Sequence, residues 1–157
     1  MSSDVVESTV QEVLEEVVTA LGLKGEVEVD RDGDVVTGTV HGHDLGLFIG
    51  RHGQTIDAVQ HLVFRIVLTR GGGAPVGDLR VVVDAEGYRA RREEALQRLA
   101  DQAAEDARRQ GRAVALDVMT ASERKLVHEY LRDRGGVETY SEGEEPDRHL
   151  VVAPLVT

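Results

Sequence analysis

The chain has 157 residues, 41% hydrophobic but only 3% aromatic, enough for one ordinary domain or two small ones with a core of Val, Leu, Ala and Ile. The absence of cysteine excludes disulfides and thiolate metal sites, and no apolar run approaches the ~20 residues of a membrane span. The net charge of −11 argues against tight non-specific DNA binding.

That charge is unevenly placed. Residues 1–46 hold 11 acidic and 2 basic side chains, residues 47–70 hold 1 and 3, residues 71–111 hold 8 and 7, and residues 112–157 hold 9 and 6. Screening over ~8–10 Å at physiological salt lets a local basic face act despite a distant acidic one. The opening Met1-Ser2-Ser3-Asp4 turns acidic at once, unlike the basic start of a signal peptide, and the cysteine-free composition suits a reducing cytoplasm.

In chain order, Val6, Val10, Val13, Leu14, Val17 and Leu21 recur at spacings of three and four, which predicts an amphipathic helix over residues 5–21 that stops at Gly22. Val27 and Val29 alternate with Glu26, Glu28 and Asp30. Asp32-Gly33 is a hairpin-turn pair, and Val35 to Val40 is the returning strand, so residues 25–41 read as a β-hairpin. Asp44 is a candidate cap for a short helix with Leu45, Phe48 and Ile49 on one face. Gly50 and Gly53 bracket Arg51 and His52. Ile56, Val59, Leu62, Val63, Ile66 and Val67 then mark a longer helix, ended by a flexible surface loop, Gly71-Gly72-Gly73-Ala74-Pro75. With a strand over Leu79 to Asp84, the order is α-β-β-α-α-β.

Residues 87–110 predict a charged helix with Leu96, Leu99, Ala103 and Ala107 inward and Arg89, Arg91 and Arg92 at its start. A short strand over Ala113 to Val118 follows. Thr120-Ala121-Ser122-Glu123 has the form of a capping box for a helix carrying Leu126, Val127, Tyr130 and Leu131. Val137 to Ser141 and Arg148 to Ala153 are the closing strands, joined by the acidic loop Glu142-Gly143-Glu144-Glu145-Pro146. The division lies near residues 84–90, where one long helix leaves the first unit and enters the second.

A Gly-x-x-Gly loop between helices has a physical use. Glycines let another backbone approach closely, and the following helix offers free N–H groups and a partial positive charge to a phosphate. Arg51 and His52 add donors at the tip, and Gln54 opens the helix behind them. From spacing alone, a plain interhelical turn accounts for the loop equally well. In its α-β-β-α-α-β frame, the stretch Leu47-Phe48-Ile49-Gly50-Arg51-His52-Gly53-Gln54-Thr55-Ile56-Asp57-Ala58-Val59-Gln60 resembles the signature of a type II KH domain. That resemblance implies that Gly50, Arg51, His52 and Gly53 clamp the backbone of about four nucleotides of a single strand.

Arg124 and His128 stand four positions apart on the capped helix and so share a face, from which a guanidinium fork and an imidazole could meet one phosphate. An idle surface pair is the plainer reading of the bare spacing. Glu123-Arg124-Lys125-Leu126-Val127-His128 and Thr139-Tyr140-Ser141-Glu142-Gly143-Glu144-Glu145-Pro146-Asp147-Arg148 resemble the R-3-H domain, a small module that binds single-stranded nucleic acid. By that resemblance Arg124 and His128 are its naming pair, with Ser141 and Arg148 as candidate supporting contacts.

The KH and R-3-H motifs in this order, over roughly residues 5–154, resemble the bacterial Jag family, also called KhpB. The resemblance implies an α+β chain of two small sandwich-like domains, KH over residues 1–86 and R-3-H over 87–157, joined through a long helix. It implies a non-enzymatic cytoplasmic protein that binds single-stranded RNA, needs no cofactor and does not insert stably into a membrane. It also implies regulation of transcripts, a link to cell envelope growth or division, and pairing with a small separate KH protein. Many family members carry an additional N-terminal domain and linker, whereas this sequence starts almost directly at the KH helix.

Other chemistry fits less well. Ser141, His128 and an acid could be assembled into a triad, but no nucleophile elbow surrounds Ser141. His41-Gly42-His43 has zinc-type spacing without a third ligand, so a solvated strand end accounts for it better. The acidic hairpin, Glu26 to Asp34, leaves open a second function, a protein-interaction scaffold that docks through its acidic face with little RNA binding.

Overall fold

The computed structural model describes residues 3–73 and 77–156. The chain divides into two compact units, residues 1–89 and 90–157.

In the first unit, α1 (Ser3–Ala20) is followed by β1 (Gly25–Asp32), β2 (Val35–Gly42), α2 (Gly46–Ile49), a 3-10 turn (Arg51–Gly53), α3 (Gln54–Arg70) and β3 (Arg80–Ala85). The strands form one sheet in the order β1-β2-β3, with β1 antiparallel and β3 parallel to β2. Alternation sorts their side chains. Val36 and Val40 of β2 and Val81 and Val83 of β3 are buried under α1 and α3. On β1, Val27 and Val29 face the same side, opposite Val40 and Gly38. Glu26, Glu28 and Asp30 fall on the other face, opposite His41, Thr39 and Thr37. Gly38 is where α1 meets the sheet: a Cβ there would lie 2.8 Å from Val10 and collide with Leu14. Thus Leu14, with none of its surface exposed, packs on backbone. Full burial of such a side chain contributes about 1.5–3 kcal/mol.

In the second unit, α4 (Tyr88–Gln110) precedes β4 (Val114–Val118), α5 (Ala121–Arg132), β5 (Val137–Glu142) and β6 (His149–Pro154). Two residues of α4 precede the division between the units. The sheet is antiparallel in the order β4-β6-β5, with a register shift between Ala115 and Val118. Its core joins Leu96, Ala100, Ala103, Ala104 and Ala107 of α4 to Val127 and Leu131 of α5 and to Val137, Leu150 and Val152 of the sheet.

Four expectations change. Leu99 is 50% exposed, and the buried stripe of α4 runs through Ala100 and Ala104 instead. Leu62 of α3 is likewise 50% exposed. Asp44 does not cap α2: it takes φ 54° in the preceding turn, and the cap position falls to Leu45, which is buried and makes no capping side-chain bond. In the capping box, Thr120 Oγ1 accepts from Glu123 N at 3.3 Å, but the Glu123 carboxylate turns to Arg92 at 2.8 Å. Ala74 and Pro75 of the expected glycine-rich loop lie outside the described residues.

Candidate nucleic-acid interface

The first candidate surface, in the first unit, is the turn from α2 to α3. Phe48, fully buried, anchors α2 in the core. Gly50 then turns the chain with φ 74° and ψ 177°, His52 follows at φ 54°, and Gly53 enters α3 at φ 79°. Gly50 is fixed twice over: its φ is one that side chains resist, and a Cβ would collide with Thr55 Oγ1 while lying 2.8 Å from the Thr55 backbone nitrogen. A Cβ on Gly53 would lie 2.9 Å from the Tyr88 hydroxyl, so Tyr88 supports the turn from behind.

No side chain caps α3, whose N-cap is Gly53 itself. The first-turn N–H groups and the positive end of a 17-residue helix therefore sit directly behind the loop. Arg51 and Gln54 are exposed and His52 is half-buried. Among the described residues, neither Arg51 nor His52 makes a side-chain hydrogen bond or ion pair, so both are available to a ligand. Asp57, the one acid of residues 47–70, is paired: it meets Arg89 Nη1 at 2.9 Å. Arg89 also donates to Val83 O at 2.8 Å and Gln60 at 3.0 Å, tying α3 to β3. Arg70 is engaged by Glu12 at 2.9 Å, which holds the Glu12 carboxyl below its ordinary value through the hydrogen bond and the Arg70 charge.

The second candidate surface, in the second unit, is an open groove of about 380 Å³ between α5 and β5. Arg124, His128, Ser141 and Arg148 all line it, so sequence-distant candidates come together there. Their states differ from the expected phosphate fork. Arg124 is buried, 7% exposed, and its guanidinium is already engaged. Nη1 donates to Met119 O at 2.6 Å and to Arg148 O at 3.3 Å, and Nη2 donates to the Glu145 carboxylate. His128 is exposed and shares a short hydrogen bond with Thr139 Oγ1 through Nδ1, not with Ser141 or an acid. Arg148 Nη1 donates to Gly143 O at 2.7 Å. The groove also holds Lys125, exposed and without an ion-pair partner among the described residues, and is bordered by Tyr140, which is 48% exposed. Neither was singled out from sequence. The signal for Lys125 was its place between Arg124 and His128.

On the outer face of the first sheet, His41 Nε2 meets Glu28 at 2.7 Å and Nδ1 meets Glu86 at 3.4 Å. The hydrogen bond to Glu28 and both carboxylate charges raise its pKa above the ordinary 6.5. His41 is thus held by carboxylates on both ring nitrogens. Among the described residues no cluster of three or more His, Asp or Glu side chains could hold a metal ion, and no helix is long and apolar enough to cross a membrane.

Comparison with known proteins gives the same division of motifs. Residues 7–74 match the KH domain family of KhpA and KhpB, and residues 94–154 match the R-3-H domain family. The chain is 35% identical over 144 residues to the RNA-binding protein KhpB of Clostridium symbiosum, covering 90% of this chain and 63% of that protein. It is 39% identical over 137 residues to the RNA-binding protein KhpB of Lactiplantibacillus plantarum, covering 87% and 41%. With the RNA-binding protein KhpB of Bacillus subtilis it shares 34% over 142 residues, covering 89% and 66%. The chain therefore spans between two fifths and two thirds of the length of these relatives. On two family matches in the expected order and identity over most of its length, the chain belongs to the KhpB family.

Proposed function

We propose that the chain binds single-stranded RNA, with the Gly50–Gln54 loop as its primary backbone clamp and the α5–β5 groove as a second contact. The loop carries the proposal. A free guanidinium and a free imidazole stand at the tip of a glycine turn, in front of an uncapped helix, with Asp57 paired. Such a site suits phosphate oxygens and does not depend on base identity. The names of the relatives support the same ligand. In the groove, Lys125 supplies a free donor, His128 offers the ring nitrogen not engaged by Thr139, and Tyr140 gives a rim on which a base can stack, a contact worth about 1–3 kcal/mol. Ser141 and Arg148 support the groove wall, and Arg124 acts from beneath it.

The finer reading is a cytoplasmic regulator of transcripts linked to envelope growth or division, with a small separate KH protein as candidate partner. Its support is the family resemblance, and for the partner a KH family shared by KhpA and KhpB. Transcriptome-wide crosslinking in a bacterium expressing the chain tests it.

Arg51→Asp with His52→Asp places two anions where phosphate would sit. Fluorescence polarisation with a labelled single strand should show binding lost, with circular dichroism unchanged. Unchanged affinity in that variant removes the loop from the site. It would favour the scaffold reading, which rests on the carboxylates of Glu26, Glu28 and Asp30 along one face of β1.

A further inference from the structure

Glu145 is placed differently from the other acids of its loop. The loop joining β5 to β6 carries Glu144, Glu145 and Asp147, all exposed. Only Glu145 reaches the guanidinium at the floor of the groove, meeting Arg124 Nη2 while remaining 61% exposed itself. Among the described residues Arg124 is the one charged side chain that is buried, with Nη1 fixed by two backbone carbonyls from different segments. A buried guanidinium requires a counter-anion, and its planar fork suits a carboxylate or a phosphate equally. In the free chain that anion comes from the exposed Glu145 side chain of the β5–β6 loop, which reaches the guanidinium from outside the groove lining.

From this we infer that Glu145 is a built-in competitor of phosphate. It holds the Arg124 guanidinium in the free chain, and a bound single strand displaces it. The inference rests on the proposed reading of the groove as a nucleic-acid contact. It assigns Arg124 two successive anions, and it makes Glu145 the residue that sets the groove's affinity. Weak binders lacking a phosphate at this position would leave the pair closed, so the contact favours strands whose backbone reaches the groove floor.

The test uses the full chain and a labelled single-stranded oligouridylate of about ten nucleotides. Glu145→Gln should tighten binding by about fivefold, while Glu144→Gln, which removes the same charge from the same loop, changes it less than about twofold. Glu145→Gln should also lower the melting temperature, since Arg124 loses its counter-anion. Tighter binding together with lower stability is the signature of competition. A structural brace would lose both, and a loop charge acting at a distance would make the two variants alike; either result overturns the inference. Lys125→Glu separates the levels. If it leaves affinity unchanged, the groove reading falls and the latch with it. If it weakens binding while the two Gln variants match, only the latch falls. Should Glu145→Gln fail to fold, the unaltered chain still decides the matter. On saturation with the strand, the Glu145 carboxylate 13C resonance should move to that of the exposed Glu144, and an unmoved resonance overturns the inference.

Discussion

Two residues define the candidate surfaces, Gly50 through its backbone and Arg124 through its guanidinium. Gly50 combines a φ of 74° with the close approach of Thr55. Gly50→Ala should therefore cost about 1–3 kcal/mol in chemical denaturation and weaken RNA binding with it. Arg124 ties Met119, Arg148 and Glu145 together. Arg124→Ala leaves those acceptors without their donor and should destabilise the fold by about 1–3 kcal/mol, whereas Lys125→Ala should leave stability within about 0.5 kcal/mol. The sequence placed Arg124 and His128 on one helix face, which the groove reproduces. It did not reveal that Arg124 is buried, because arginine is ordinarily exposed. Its burial depends on acceptors supplied by residues 5 and 21–24 positions away. The availability of Arg51 and His52, by contrast, follows from a turn that leaves Arg51 exposed and His52 half-exposed with no side-chain partner among the described residues.

At the scale of elements, strong periodicity made the framework legible. The alternation of Val27 and Val29 with acids, the two-residue hairpin connection after Asp32, and the three-and-four spacing of Val6, Val10, Val13 and Leu14 in α1 match the observed structure, whereas Leu21 falls past the end of α1 and is exposed and Val18 is buried in the core. Leu62 and Leu99 are exposed because other residues fill the inward stripes, Ile56, Val59, Val63 and Val67 in α3 and chiefly alanines in α4. In α4 the inward stripe is mostly alanine, which lets a neighbour pack closely, and it leaves Leu99 outside. Leu14→Ala should test the α1–sheet contact at Gly38, with a loss of about 2–5 kcal/mol in denaturation.

His41 tests the outer face of the same sheet. Its pKa is raised by Glu28 first and by Glu86, so the pairing stabilises the fold fully at pH below the unfolded value near 6.5 and is lost as pH rises through the folded value. The melting-temperature advantage of the unaltered chain over His41→Gln should be largest in acid and vanish in mild alkali. A constant or inverted difference would contradict that assignment.

For the molecule as a whole, charge and modularity decide what binds. Most of the acid of residues 1–46 lies on α1 and on the outer face of β1, while Arg51 and His52 of the loop are free and Asp57 behind them is paired with Arg89. On the proposed reading, binding should therefore concentrate on the loop and groove surfaces and weaken with salt. Two modules on one strand add their contacts only when the strand is long enough. Lys125→Ala with His128→Ala should weaken binding to a strand of about twenty nucleotides more than to one of about five, by polarisation titration. Equal losses on both would contradict a two-site track.

Whether RNA is held at the glycine loop can be read by mapping amide chemical shifts of the 15N-labelled chain during titration with a short single-stranded RNA. The largest changes should run from Gly50 to Ile56, with a second set at Lys125, His128 and Thr139 to Ser141. Changes concentrated on β1 and the outer sheet face around Glu28 and His41, with the loop silent, would contradict it.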